Sequence, residues 1–177
     1  MDEDPPQDRP LKRGWTTGAC AAAAAKAAAT ALVHGDFPDP VEIALPSGAR
    51  VAFALARHDL GDGRATAAIV KDAGDDPDVT HGAVVTATVR RGAAGSGITY
   101  LRGEGVGLVT RPGLPIPPGE PAINPVPRKM IAASVREAAG ETADIEVEIS
   151  VPGGAKMAER APTTTRAAPE RMRCHSS

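Results

Sequence analysis

The chain has 177 residues, room for one ordinary domain and not comfortably for two. Its hydrophobic fraction is 42% but its aromatic fraction only 2%, so a core has to be assembled from Ala, Val, Ile and Leu. A formal net charge of -2 gives no long-range pull toward nucleic acid or an anionic membrane, and no run of about 18 apolar residues exists to span a bilayer.

Residues 1–12, opening MDEDPPQDRP, are acidic, Pro-rich and without periodicity. They predict a disordered leader and are the opposite of a secretory signal, which places the chain in the cytoplasm. The ordered domain is expected over 13–154. From Cys20 to Val33 alanine dominates, Lys26 is the only charge and Gly35 stands where a helix terminates, so this segment reads as a helix with Thr16 or Thr17 as its N-cap. VEIAL (Val41–Leu45) and VAFAL (Val51–Leu55), separated by the turn residues PSG, predict a β-hairpin. ATAAIV (Ala65–Val70), VVTATV (Val84–Val89) and ITYLRG (Ile98–Gly103) are further strands. Asn124 as N-cap, Pro125 at the first helical position and Gly140 past the end frame a second helix over 126–138, and alternation returns in Asp144–Val151. Helix, strands, helix, strand argues an α+β fold with helices packed on a mainly antiparallel or mixed sheet. Residues 155–177 lose all periodicity and are expected to be a disordered, divergent tail.

Three stretches hold more special residues than folding requires. GWTTGAC places Thr16, Thr17 and Gly18 at a helix start, whose unpaired N–H groups and partial positive charge suit a carboxylate or phosphate; a well-capped helix packed flat on a sheet accounts for the same residues. Cys20 has no base nearby in sequence and reads as a small packing residue. Cys20 and Cys174 lie in unrelated settings and suggest neither a disulfide framework nor a zinc site. VKDAGDDPDVTHG carries Lys71, Asp72, Asp75, Asp76, Asp78 and His81. Four carboxylates so close require solvent, a metal or a cationic ligand, although an Asx-rich surface turn bent at Pro77 also fits and the spacing is not that of an EF-hand. GEGVGLVTRPGLPIPPGEPAINPVPR begins with Gly103, Gly105 and Gly107, but LVT and prolines follow where a dinucleotide fingerprint needs a helix. It reads as a long proline-stiffened loop offering Arg111, Arg128 and Glu120.

Taken together, TTGACAAAAAKAA, VKDAGDDPDVTHG, and GVGLVTRPGLPIPPGEPAINPVPR followed by EISVPGG resemble the CbiD family, the cobalt-precorrin-5B C(1)-methyltransferases of anaerobic cobalamin biosynthesis, over about residues 11–154. Ala19 stands where the family usually has a hydroxyl residue, and Trp15 where a smaller aromatic is common. The resemblance implies transfer of a methyl group from S-adenosylmethionine to C1 of a cobalt-corrinoid, giving cobalt-precorrin-6A. Cobalt is then part of the substrate and no protein metal ligands are expected. An electron-rich carbon attacking a sulfonium methyl needs alignment rather than a covalent nucleophile. On this reading Asp72 and Asp75 are assigned the catalytic handling of a proton and Asp76 and Asp78 the methyl donor. Thr16, Thr17, Gly18, Lys71, Arg111 and Arg128 are assigned the substrate carboxylates. Further partners implied are a second copy of the chain or other enzymes of that pathway. Family members continue after SVPGG into a longer α/β region, whereas AERAPTTTRAAPERMRCHSS follows here, so a truncated or frame-shifted member is expected. The alternatives are a corrinoid-binding fragment without catalysis, a non-functional fragment, and a metal-binding protein built on the Asp cluster.

Overall fold

The computed structural model describes residues 16–71, 82–113 and 115–152. The expected leader, the tail and the Asp loop therefore lie outside the described residues, and the expected domain is covered over most of its length.

Helix α1 (Thr17–His34) is built from the residue with the best helix propensity and no side-chain entropy to lose. Thr16 is its N-cap, in extended conformation, with its hydroxyl accepting the Ala19 N–H at 3.0 Å. Gly35, at φ 84°, closes the far end by donating to the Ala31 carbonyl at 2.8 Å. Strands β1 (Val41–Ala44) and β2 (Arg50–Phe53) form the expected hairpin, pairing from Val41↔Phe53 to Ala44↔Arg50. Strands β3 (Arg57–Gly61), β4 (Arg64–Val70), β5 (Val84–Arg91), β6 (Ile98–Arg102) and β7 (Ile145–Ser150) make a second sheet in the order β3-β4-β5-β7-β6. All its pairs are antiparallel except β6–β7. A parallel pair demands a crossover, and residues 103–124 with helix α2 (Pro125–Ala139) supply it. The fold is the α+β class with a mixed sheet.

The larger sheet has one apolar face and one polar face. Ala65, Ala67 and Ile69 of β4, Val85, Ala87 and Val89 of β5, and Ile145, Val147 and Ile149 of β7 alternate inward and are buried in one core with α1. The other face carries the paired hydroxyls of Thr66 and Thr88 at 3.0 Å and the Arg90–Glu148 ion pair at 3.8 Å. Helix α1 lies on the apolar face, α2 packs alongside it, and the β1–β2 hairpin covers a further flank. Ala19 to Ala25, Ala27 to Ala29 and Ala31 are consequently all buried, the signature of a helix enclosed on every side. Cys20 is fully buried among them and outside any disulfide, as a packing residue would be. Lys26 is the exception that ties the layers. Its ammonium donates to the Glu42 carbonyl and to Glu137 at 3.0 Å, while Arg50 bonds Glu42 and reaches Glu137 at 2.7 Å, so one charged network links the hairpin to both helices.

Strand β3 lacks the apolar alternation that marks the others, and all five of its residues are exposed. Its position is set instead by the Asp62-Gly63 turn, with φ of 53° and 72°, a two-residue connection whose left-handed geometry matches strand twist. The long connection is not loose: Val109 donates to Glu120 at 2.9 Å, Gly119 to Val109 at 2.8 Å and Ala122 to Gly107 at 2.9 Å, and Val109, Ile116 and Ile123 are buried. Among the described residues no helix is long and apolar enough to cross a membrane.

Two outcomes follow for stability. Gly103 donates to the Ile149 carbonyl at 2.9 Å, and a Cβ there would sit 2.5 Å from that oxygen, so Gly103→Ala is expected to lower unfolding free energy by about 1–3 kcal/mol in urea titrations. Asp144 accepts N–H bonds from Gly97 at 2.7 Å and Gly95 at 2.9 Å, and these bonds hold its pKa below the ordinary carboxylate value; hydrogen bonds from Arg50 and then Lys26 lower that of Glu137. With native pKa values depressed, this stabilisation is complete above about pH 5 and is lost as pH falls through the native values. The urea midpoint is expected to drop below about pH 5, and Asp144→Asn to flatten that drop.

Candidate functional site

Two contacts fix how the helices run. Gly18, in the first turn of α1, faces Pro127 in the first turn of α2, and Lys26 further along α1 meets Glu137 near the end of α2. The helices are therefore parallel and their positive ends stand side by side. The fit is close: a Cβ on Gly18 would come within 3.0 Å of the Pro127 ring, so the glycine permits approach of the second helix as well as access to its own backbone.

The donors at this end are unequal. In α1 the Ala19 N–H is held by the Thr16 hydroxyl and the Cys20 N–H by the Thr16 carbonyl, whereas the N–H groups of Thr17 and Gly18 have no acceptor within the helix. In α2, Pro125 and Pro127 have no N–H, and Arg128 donates to the Asn124 carbonyl at 3.1 Å. Asn124 occupies the N-cap position but makes no side-chain cap bond. The sequence itself contains the reason. The cap oxygen normally takes the N–H of the second or third helical residue, and the third is proline.

Two cavities share the Gly18–Pro127 contact as a wall. The larger, about 600 Å³, is bounded by Thr16 and Gly18 on α1, Val126 and Met130 on α2, and Leu45 to Ser47 at the hairpin turn. The smaller, about 260 Å³, is bounded by Thr17, Gly18, Gly105 to Gly107, Asn124 and Ile131. Among the described residues neither lining contains a charged side chain, so the described walls form apolar hollows with hydroxyl, amide and backbone N–H groups at the helix starts. Such a hollow accommodates an apolar body with an anionic group directed at the helix ends.

Of the residues singled out in the sequence, Thr16, Thr17 and Gly18 are brought together here. Asn124 joins them as a site residue that sequence reasoning treated only as a cap, and the Asn-Pro-Val-Pro spacing was the available signal. Lys71 is buried at the end of β4, its backbone paired with Gly82 and Ala83, and it lines neither cavity. Arg111 is exposed in the connection and also lines neither. Arg128 has a structural task. Its Nε donates to the Ile123 carbonyl at 2.8 Å and Nη2 to the Pro121 carbonyl at 2.8 Å, with Glu120 at 3.5 Å, so it clamps the end of the connection at the start of α2. Its guanidinium lies 4.9 Å from the Tyr100 ring centre, and Tyr100 donates to the Arg128 carbonyl at 2.7 Å. Burial pushes the Tyr100 pKa up, against the opposing pull of Arg128 and Arg136. Asp72, Asp75, Asp76, Asp78 and His81 lie outside the described residues. Among the described residues no group of His, Cys, Asp and Glu is arranged to hold a metal ion.

The CbiD family model matches residues 4–165, nearly the whole chain. This chain belongs to the CbiD family. The match extends past both ends of the 11–154 span that the motifs cover. Curated relatives named cobalt-precorrin-5B C(1)-methyltransferase include one from Agrobacterium fabrum, 67% identical over 150 residues, which are 85% of this chain and 40% of that protein. Others come from a Bradyrhizobium species, 63% identical over 88% of this chain and 42% of the relative, and from Paramagnetospirillum magneticum, 60% identical over 86% and 44%. The chain thus spans about two fifths of the length of the relatives it matches. No solved structure matches it.

The cap is expected to show in stability. Thr16→Ala removes the acceptor of the Ala19 N–H and should cost about 1 kcal/mol in urea unfolding, whereas Thr17→Ala, which leaves that bond in place, should cost less than about half as much.

Proposed function

We propose that this chain carries the corrinoid-binding end of an S-adenosylmethionine-dependent methyltransferase that methylates C1 of cobalt-precorrin-5B to give cobalt-precorrin-6A, in the cytoplasmic, anaerobic route to cobalamin. The relatives' shared name supports the reaction. The observation that carries the placement is the pair of parallel helix starts opening on an apolar hollow of about 600 Å³. A corrinoid is a broad apolar ring edged with carboxylates. Its body suits the wall of Leu45, Val126 and Met130, and a peripheral carboxylate suits the Thr17 and Gly18 N–H groups, where two helix dipoles add. Asn124 and the 105–107 backbone offer further contacts on the other side of the Gly18–Pro127 wall.

Within this proposal the residues have distinct tasks. Thr16 fixes the helix start by capping Ala19, and Arg128 fixes the second start by holding the carbonyls of Pro121 and Ile123; both position the site rather than grip the ligand. Lys71 and Arg111 remain assigned to the substrate's carboxylates, although neither lines the hollow. Bound S-adenosylmethionine supplies an electrophilic methyl group and departs as a neutral thioether. Among the described residues the two linings offer no carboxylate to face its positive sulfur, and the donor stays assigned to Asp76 and Asp78, with Asp72 and Asp75 to take a proton. Catalysis then comes mainly from aligning two ligands.

A second reading, corrinoid binding without methyl transfer, is favoured by the uncharged walls that the described residues give both cavities. One experiment separates the two. The purified chain is incubated with the cobalt-corrinoid substrate and S-adenosylmethionine, and bound and free corrinoid are analysed by mass spectrometry. A gain of one methyl group is expected for the enzyme; retention of unmethylated corrinoid supports the binding reading; failure to bind contradicts both.

A further inference from the structure

The flank of α2 turned away from α1 bounds a separate cleft of about 360 Å³, between α2 and strand β6, lined by Ile98, Tyr100, Arg128, Lys129, Ala132 and Arg136. Strand β6 is an edge of the larger sheet, so this cleft opens sideways rather than into the core. Residues 129, 132 and 136 are spaced to share one helical face, and Ala132 between the two cations leaves a floor where a longer side chain would fill the gap. Among the described residues the lining contains three cations and no carboxylate. Lys129 and Arg136 are exposed and form no ion pair among the described residues, whereas Glu137, next along the helix, is engaged by Lys26 and Arg50.

Arg128 is the organised member. The Tyr100 ring and the Pro121 and Ile123 carbonyls fix its plane, but among the described residues its only carboxylate is Glu120, half exposed and at 3.5 Å, a long contact that a better-placed anion can replace. A fixed guanidinium flanked by two exposed cations, above an aromatic and an aliphatic wall, is an arrangement that selects anionic oxygens over water. We infer that this cleft is a second binding site, for a small-molecule oxyanion, carboxylate or phosphate, distinct from the hollow at the helix starts. It does not rest on the corrinoid reading, since none of Tyr100, Lys129 and Arg136 lines that hollow.

The test uses the full chain, labelled for amide NMR, titrated at low ionic strength with citrate, with inorganic phosphate, and with sodium chloride matched for ionic strength. Citrate or phosphate is expected to move the amide signals of residues 98–100 and 128–136 to saturation while chloride does not. Which of the two binds more tightly assigns the oxyanion. The double variant Lys129→Gln, Arg136→Gln is expected to weaken that binding about tenfold or more; both side chains are exposed, so the spectrum elsewhere should stay native. Arg128 is left intact because it holds the connection. Equal shifts with chloride, shifts confined to other residues, or unchanged affinity in the double variant would overturn the inference.

Discussion

A helix can approach its neighbours only as closely as its widest side chain allows, and along most of α1 that width is one methyl group. The sheet, α2 and the β1–β2 hairpin all close on it at once, and its buried alanines form the middle of the core. Each alanine contributes little apolar area, so stability comes from the many surfaces that this thin helix lets converge and from the absence of side-chain entropy to lose. A larger residue at Ala22, Ala24 or Ala28, all fully buried, would push one of three layers outward. Lys26, the one long side chain inside the alanine run, survives because it leaves the core at the seam where Glu42 and Glu137 meet it.

The same narrowness shapes the functional end. Because α1 admits α2 closely, Gly18 and Pro127 touch, and two helix starts that would otherwise be apart share one wall between two cavities. The prolines of α2 remove the donors that this crowded end could not easily satisfy, and Asn124 is released from capping to face the smaller cavity. Positive potential from both helices is thus concentrated where backbone N–H groups remain, with no charged side chain among the described residues of either lining. An anionic group on an apolar ligand is the complement of such a surface.

Much of this was legible in the residues. The alanine run, the Thr16 cap, Gly35, the PSG hairpin and the Pro125–Gly140 frame of α2 are local signals, and the structure follows them to within a turn of helix. Strand β3 was hidden because exposed Arg57, His58 and Asp59 carry no hydrophobic alternation; the Asp62-Gly63 pair was its only mark. The site was legible in part. Thr16, Thr17 and Gly18 announce a helix start, but that Gly18 would serve a helix contact depends on Pro127, more than a hundred residues away, and no local pattern carries that. The chemistry of Arg128, which suits an anion, was legible; which carbonyls it also holds is a property of how the 103–124 connection folds back. Family membership, by contrast, was carried by motif order along the chain and needed no tertiary information.

The central claim is that the paired helix starts, rather than another surface, receive the corrinoid. The most direct measurement is an amide NMR map of the chain bound to a diamagnetic cobalt(III) corrinoid with free carboxylates. The account predicts the largest shifts at Thr17 to Ala19, at Ser47 to Ala49 and at Val126 and Met130. A corrinoid that binds with its shifts at β3, or along the polar face of the larger sheet, would contradict it.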